Sequence, residues 1–205
     1  ERREMNVSLN KIACPLFLTA VLLAVLLVSP RHSAGAEKTI VQIAEEQGKA
    51  VGVVTNFVFG MFPQAFGSGF LVMPNGVFIT NFHVVQGASA VQLKLPDGRE
   101  FAATGVIATS TDWDIAILKG EADGLPAVPL GDSDTVKVGE RVIAIGSPLG
   151  FLEKTVSDGL ISAIREDKPG EKIFQVTTPV SQGSSGGALL NMKGEVIGII
   201  VASFP

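Results

Sequence analysis

Cysteine and histidine are almost missing from this chain of 205 residues, which has one cysteine and two histidines. The cysteine, Cys14, lies in an N-terminal apolar segment, so the rest of the chain has neither a disulfide nor a thiol nucleophile. A structural zinc site needs about four cysteine or histidine ligands, and the sequence excludes one. In an oxidising compartment the fold must therefore rest on its hydrophobic core alone.

Residues 1–36 have the pattern of a signal peptide. An apolar run over 12–28 is followed by the small residues of 33–36, which form an A-x-A cleavage pattern and predict cleavage after residue 36. Met5 reads as the natural start, so residues 1–4 are expected to be non-native upstream sequence. The alternative is an uncleaved membrane anchor, because about 17 apolar residues is the short limit of a bilayer span.

Basic residues are scarce once this segment is set aside. Removing residues 1–36 takes four of the 16 basic and two of the 20 acidic residues, which leaves 12 against 18 and a net charge of −6. No basic cluster remains to supply the electrostatic attraction on which nucleic-acid binding depends. The sequence therefore excludes a nucleic-acid partner.

The remaining chain reads as a series of short β-strands. A short amphipathic helix is predicted over 38–47, and helical periodicity ends after it. The apolar, β-branched runs that follow end in Gly, Pro or Asp turns and occupy 51–55, 69–73, 77–80, 91–95, 101–108, 114–119, 141–146, 154–164, 173–178, 188–191 and 195–201. This pattern predicts an all-β fold of two antiparallel barrels or sandwiches with a short N-terminal helix.

The strands fall into two groups of six and five. The predicted first barrel, with its N-terminal segment, covers 37–122, a turn-rich linker covers 123–139, and the second barrel covers 140–205. The second group is one strand short of the first, so this barrel is expected to be incomplete.

His83 is the one histidine outside the signal segment, and it lies just after a predicted strand. Histidine is the side chain whose charge changes near neutral pH, so a general base that works there must be this residue. A single histidine is more often a structural residue with its hydrogen bonds satisfied. Taken alone, the residue leaves both interpretations open.

A glycine-rich loop, GSSGG, surrounds Ser185. Glycines allow the backbone to bend sharply and bring its N–H groups close to a reacting carbonyl, so the loop can hold a nucleophile and an oxyanion hole together. The alternative is a flexible turn. The loop lies between two predicted strands rather than between domains, which favours a functional loop.

Asp114 opens a buried apolar strand, where a carboxylate is costly without a hydrogen-bond partner. Donation from the Nδ1–H of His83 would satisfy it and leave Nε2 free to accept the proton of Ser185. Asp112 is the rival for this role, although it precedes the strand and has the position of a solvated turn residue.

The order His83, Asp114, Ser185 and the surrounding sequences resemble the trypsin-like proteases, and the HtrA/Deg family in particular. The segments that carry the resemblance are GSGFLV (67–72), TNFHVV (80–85), DWDIAILK (112–119), LGDSDTVKVGERVIAIGSPLG (130–150), SDGLISAI (157–164) and GSSGGALLNMKGEVIGI (183–199). The resemblance implies a two-barrel chymotrypsin/trypsin-like fold and a serine endopeptidase that acts on unfolded or damaged proteins in the periplasm or outside the cell, without a metal or organic cofactor.

The resemblance also implies roles for individual residues. His83 would be the base, Asp114 its orienting partner and Ser185 the nucleophile. Gly183, Ser184 and Ser185 would form the oxyanion hole, with the backbone N–H groups of Gly183 and Ser185 facing the oxyanion. The substrate pocket would be lined by Thr178, Pro179, Val180, Ser181, Gln182, Val201, Ala202 and Ser203. Because the segment before the nucleophile carries no acid, we expect the pocket to prefer small or medium apolar side chains of the substrate.

Three further expectations come from comparison with the family pattern. Ser184 stands where digestive trypsin-like enzymes have an aspartate that binds a newly freed N-terminus, so that activation is not expected here. No PDZ module follows the protease region. The chain also ends where family members continue with another strand, and this predicts a truncated member of the family. Family members commonly form homotrimers through their protease domains, often with aromatic contacts near the N-terminus. Phe57, Phe59, Phe62 and Phe66 either supply such contacts or fill the first barrel.

The competing hypothesis belongs to another functional class. A protease fold that is catalytically silent would bind extended peptides by adding them to an exposed strand edge. The three candidate catalytic residues argue against it, and the expected missing strand argues for it.

Overall fold

The computed structural model describes residues 36–58, 62–147, 154–166, 172–181 and 183–202. The predicted signal segment (apart from its last residue), Phe59, Gln182 and Ser203 lie outside the described residues. None of the helices within these ranges combines the length and hydropathy that a bilayer span requires.

The first six strands close into a barrel. They are β1 (Val51–Val58), β2 (Phe62–Met73), β3 (Val77–Thr80), β4 (Ala90–Lys94), β5 (Glu100–Ser110) and β6 (Ile115–Gly120). Their order around the barrel is β1-β2-β3-β6-β5-β4, every pair is antiparallel, and β4 pairs with β1 to complete the closure. All six predicted strands are present. β2 begins seven residues earlier than the sequence predicts.

The last five strands form the second, barrel-like sheet. They are β7 (Arg141–Gly146), β8 (Thr155–Glu166), β9 (Lys172–Val176), β10 (Ala188–Leu190) and β11 (Val196–Ile199), in the order β11-β10-β7-β8-β9. The predicted all-β fold is confirmed. Each strand of the second group also coincides with a predicted one.

Helix α1 (Ile40–Glu46) begins at a capping box, in which Thr39 Oγ1 accepts from the backbone N–H of Gln42 and the Gln42 side chain accepts from the N–H of Thr39. This confirms the predicted helix, and a 3₁₀ turn over Gln47–Ala50 connects it to β1. Ile43 is buried and anchors the helix to the core that it shares with the first barrel.

A second helix, α2 (Phe82–Val85), was not predicted from the sequence. It is only four residues long, so no helical repeat of apolar residues can appear in it. Its residues Val84 and Val85 are β-branched, which favours strand over helix in a sequence pattern. The helix follows β3 and carries His83.

Strand β7 explains why RVIAIG is apolar at successive positions. Ile143 and Ile145 belong to the core cluster that contains the first barrel, whereas Val142 and Ala144 belong to a second cluster with Ile161 of β8. Side chains of a strand alternate between its two faces, so both faces of β7 are buried. The two sheets therefore pack against each other through this strand, within one compact unit that begins at Glu37.

Two of the four phenylalanines considered for subunit contacts are exposed. Phe62 and Phe66 on β2 have relative exposures of 67% and 47%, and Phe57 on β1 is half-buried. Phe62 and Phe66 therefore do not fill the first barrel.

Candidate active site

His83 and Asp114 are in direct contact. The imidazole Nδ1 lies 2.6 Å from Asp114 Oδ2, and Asp114 Oδ1 accepts the backbone N–H of His83 over 2.8 Å. The carboxylate can only accept, so Nδ1 carries the proton of this bond and Nε2 is left as an acceptor. The His83 side chain is 49% exposed and that of Asp114 is 29% exposed, which leaves the imidazole open to a substrate.

The backbone of Asp114 is also held in place by hydrogen bonds. Its φ of 49° is positive, a conformation that asparagine and aspartate adopt more readily than most residues. Its carbonyl accepts from the Phe82 N–H over 3.1 Å and from Asn81 Nδ2 over 2.8 Å. The start of α2 is therefore tied to the start of β6, and this tie aligns His83 with Asp114.

Asn81 is a site residue that sequence reasoning missed. It is fully buried between β3 and α2, and its amide nitrogen donates to the Asp114 carbonyl. The available signal was a polar residue at the end of an apolar strand, directly before the apolar Phe82. Such a residue needs a buried partner, but only the fold shows which one.

Ser185 lies in the loop between β9 and β10, and its exposure is 7%. Gly183 and Gly186 flank it with φ values of +92° and +86°. A Cβ on Gly186 would lie only 2.1 Å from the carbonyl oxygen of Ser68, so no side chain fits at that position. The glycines of this loop are therefore required by its conformation and by the close approach of β2.

The loop of Ser185 and the helix of His83 meet at Gly67 of β2. A Cβ on Gly67 would lie 2.7 Å from Val84 Cγ2 and 3.0 Å from the Ser185 carbonyl oxygen. Ser185 Oγ accepts from the Ala202 N–H over 3.1 Å, and among the described residues no hydrogen bond joins it to His83. A hydroxyl can donate while it accepts, so the contact with Ala202 leaves the Ser185 proton available.

The amides of the loop differ in their partners. The Ser184 N–H donates to the Ser181 carbonyl over 2.9 Å, so it does not point into an oxyanion site in this conformation. In the described part of the chain, the N–H groups of Gly183 and Ser185 have no protein acceptor. Of the three residues predicted for the oxyanion hole, these two therefore have amides that can bind a developing oxyanion.

A cavity of about 190 Å³ lies beside Ser184. Pro179, Val180 and Ser181, three of the predicted pocket residues, are on its wall. Thr178 is buried elsewhere, and neither Val201 nor Ala202 is on the wall.

The rest of the wall was not identified from the sequence. It consists of Ala144, Gly146, Thr155, Ser157, Ser184 and Ile200. Most of these residues belong to β7 and β8, which reach the cavity only because the two strands pair in the second sheet. None of the described wall residues is charged.

Comparison with known proteins identifies the family. Residues 67–199 match the trypsin-like peptidase domain, and this match covers more than half of the chain. The chain is 45% identical over 139 residues to a protein of Halomonas elongata named as a DegP-like periplasmic serine endoprotease, and 43% identical over 146 residues to the serine protease HhoB of Synechocystis sp.. These alignments cover 66% and 68% of the chain but only 29% and 35% of the relatives.

Solved structures give the same result. An HtrA-type protease with a bound tripeptide has a TM-score of 0.71 at 32% identity, over 79% of this chain and 54% of its own. A serine endoprotease from Yersinia pestis has a TM-score of 0.71 at 31% identity, over 82% of this chain and 59% of its own. The chain therefore belongs to the trypsin-like peptidase domain family, and within that family to the HtrA/Deg type.

Proposed function

We propose that this chain is a serine endopeptidase in which Ser185 is the nucleophile, His83 the general base and Asp114 the residue that orients the base. The observation that carries the proposal is the double contact between Asp114 and His83, in which one carboxylate oxygen accepts the ring Nδ1–H and the other accepts the backbone N–H. This arrangement fixes both the tautomer and the orientation of the imidazole.

The residues then perform peptide hydrolysis in two steps. His83 Nε2 takes the Ser185 proton while Oγ attacks the substrate carbonyl, and the amides of Gly183 and Ser185 bind the oxyanion. His83 returns the proton to the leaving amine, so an acyl-enzyme forms on Ser185 and the C–N bond breaks. Water, deprotonated by His83, then attacks the acyl carbonyl, the ester C–O bond to Ser185 breaks, and His83 returns the proton to Ser185 Oγ.

We propose unfolded or damaged polypeptides as the substrates and the periplasm or the extracellular space as the location. The relatives named as periplasmic serine endoproteases and the structural neighbour with a bound tripeptide support this proposal. In either location, cleavage after residue 36 would release the protein from the membrane, and an uncleaved segment 1–36 would anchor it there. Assembly as a homotrimer is supported by the exposure of Phe62 and Phe66 on β2.

Cleavage is expected after small or medium apolar side chains. The described wall of the cavity beside Ser184 has no charged residue that could pair with lysine or arginine, and its volume is only about 190 Å³. An unpaired charge in such a site loses its hydration without compensation. Mass spectrometry of a digested peptide library measures this preference, with a Ser185→Ala sample to subtract contaminating proteases. Cleavage chiefly after basic residues would contradict the assignment of the pocket.

A catalytically silent peptide-binding protein is the second candidate. Two observations favour it: among the described residues no hydrogen bond joins Ser185 Oγ to His83, and β9 is an outer strand of the described second sheet. An extended peptide can pair with an outer strand through its main chain.

Labelling with a fluorophosphonate probe separates the two candidates. An activated serine attacks phosphorus and displaces fluoride, so we expect the wild type to be labelled and Ser185→Ala to remain unlabelled. Ser162→Ala is the control, because it removes the hydroxyl of an exposed serine of β8 that is neither on the cavity wall nor in the loop of Ser185, and it should retain labelling. A folded wild type without a Ser185-dependent adduct would favour the peptide binder.

A further inference from the structure

Ser68 joins the first barrel to the loop that carries Ser185. It lies on β2 and is fully buried. Its hydroxyl donates to the Gly183 carbonyl over 2.7 Å and accepts from the Ser147 N–H over 2.8 Å. Its backbone N–H donates to the Ser185 carbonyl over 2.7 Å. One residue of the first barrel therefore binds the carbonyl groups on both sides of Ser184.

The bond to Gly183 sets the orientation of one peptide plane. In a trans peptide the C=O and the following N–H point in opposite directions. The Gly183 carbonyl points to Ser68, and the Ser184 N–H accordingly points away from it, to the Ser181 carbonyl at 2.9 Å. Rotation of this peptide would break both hydrogen bonds.

The bond to Ser185 holds a second peptide plane. The Ser185 carbonyl accepts from the Ser68 N–H, and the next N–H, that of Gly186, donates to the Ile200 carbonyl over 2.9 Å. The peptide group in between carries the Ser185 N–H. Its carbonyl, that of Ser184, accepts from the Gly187 N–H over 2.9 Å. Ser68 thus fixes the peptides before and after the one that presents the Ser185 amide.

Water cannot replace the Ser68 hydroxyl easily. The residue has no exposed surface, and a Cβ on Gly146 would lie 3.1 Å from its Oγ, so the surroundings are close-packed. Removing the hydroxyl would leave the Gly183 carbonyl and the Ser147 N–H buried without a partner. Both groups could recover a hydrogen bond only by changing position. The Gly183 carbonyl belongs to the candidate oxyanion loop, so its movement would change that loop.

We propose that Ser68 is a positioning residue for the reaction, which holds the peptide groups on both sides of the Ser185 amide so that this amide faces the oxyanion. The proposal rests on the proposed function, in which Ser185 is the nucleophile. Ser68 touches neither substrate nor the reacting atoms. It acts through the orientation of the loop, so it should affect the transition state more than the binding of the ground state.

The test compares Ser68→Ala with Thr80→Val. Thr80 Oγ1 donates to the Ser68 carbonyl over 2.7 Å and is equally buried, so its loss removes a hydrogen bond of the same length from Ser68 and leaves the donors and acceptor of the bonds to Gly183, Ser185 and Ser147 in place. We expect Ser68→Ala to lower kcat and the rate of fluorophosphonate labelling between roughly tenfold and 10²-fold, with KM unchanged. Thr80→Val should lower the melting temperature without a comparable loss of rate.

A second variant keeps the test decisive if the alanine variant does not fold. Ser68→Cys keeps the same number of side-chain atoms and supplies a larger atom that is a weaker donor, so its labelling rate should lie between those of wild type and Ser68→Ala. If only the cysteine variant folds, a reduced rate supports the proposal and a wild-type rate overturns it. Hydrogen exchange at the Ser147 amide reports directly on the bond to Ser68 Oγ and should accelerate in both variants.

The possible outcomes are distinct from those for the proposed function. A folded Ser68→Ala protein that labels at the wild-type rate, while Ser185→Ala abolishes labelling, overturns the role of Ser68 and leaves the proposed function intact. Equal rate losses in Ser68→Ala and Thr80→Val would also overturn it, because a general loss of packing would then explain both. A wild type that is never labelled at Ser185 overturns both proposals.

Discussion

Replacing His83 by alanine is expected to lower kcat for peptide hydrolysis on the order of 10⁶-fold, because members of a catalytic triad act as a unit. This loss corresponds to about 8 kcal/mol of transition-state stabilisation. No other histidine lies within residues 37–205 to take over the proton transfer. The measurement is the turnover of a fluorescently labelled, permanently unfolded protein, followed at enzyme concentrations high enough to detect the residual rate.

The same variant tests whether the loss is chemical rather than structural. The His83 side chain is half-exposed, and alanine keeps the backbone N–H that donates to Asp114 Oδ1. The melting temperature should therefore change little. A folded His83→Ala protein that hydrolyses the substrate at the wild-type rate would refute the mechanism.

Replacing Asp114 by asparagine is expected to lower kcat about 10⁴-fold, or about 5 kcal/mol. The amide has one oxygen where the carboxylate has two, so it cannot accept both the backbone N–H of His83 and the Nδ1–H. The imidazole then adopts the tautomer that carries its proton on Nε2, which cannot accept the proton of Ser185. Asparagine tolerates the positive φ of 49° at this position, so the backbone is expected to be preserved.

Asp112→Asn is the matched control for this change. Asp112 is exposed and lies only two residues before Asp114, so the same substitution is made in the same turn. We expect it to retain most of the activity, as measured by kcat and KM on the same substrate. A larger loss in Asp112→Asn than in Asp114→Asn would transfer the orienting role to Asp112.

The strands were predictable because their signals are local. β3 and β7 have the bounds that their apolar runs predict, since Gly, Pro or Asp ends each run within a few residues. Helix α2 was not predictable, because four residues contain too little of the helical period and their conformation depends on hydrogen bonds to Asp114. The early start of β2 likewise depends on pairing with β1, because residues 62–68 contain a proline and a glycine, which do not favour a strand by themselves.

Some residues of the candidate site were likewise predictable from the sequence, and others were not. His83, Asp114 and Ser185 were found from the sequence because each is chemically conspicuous: the one histidine outside the signal segment, an acid opening an apolar strand and a serine among glycines. Asn81 and Ser68 were not found. Their side chains act on backbone groups 33 and 115 residues away, and no local pattern records which carbonyl a buried amide or hydroxyl will meet.

Only part of the wall of the pocket could be predicted from the sequence. Its segment 179–181 was predicted, but Thr155 and Ser157 reach the cavity because β8 pairs with β7, and Thr178 is buried without being on its wall. The sequence by itself determined the residue types that can do the chemistry and the strands between which they lie, because both depend on composition and on periodicity within a few residues. Only the tertiary structure decided which amides, hydroxyls and walls surround them, because those contacts join residues that are distant along the chain and are selected by the packing of the two sheets.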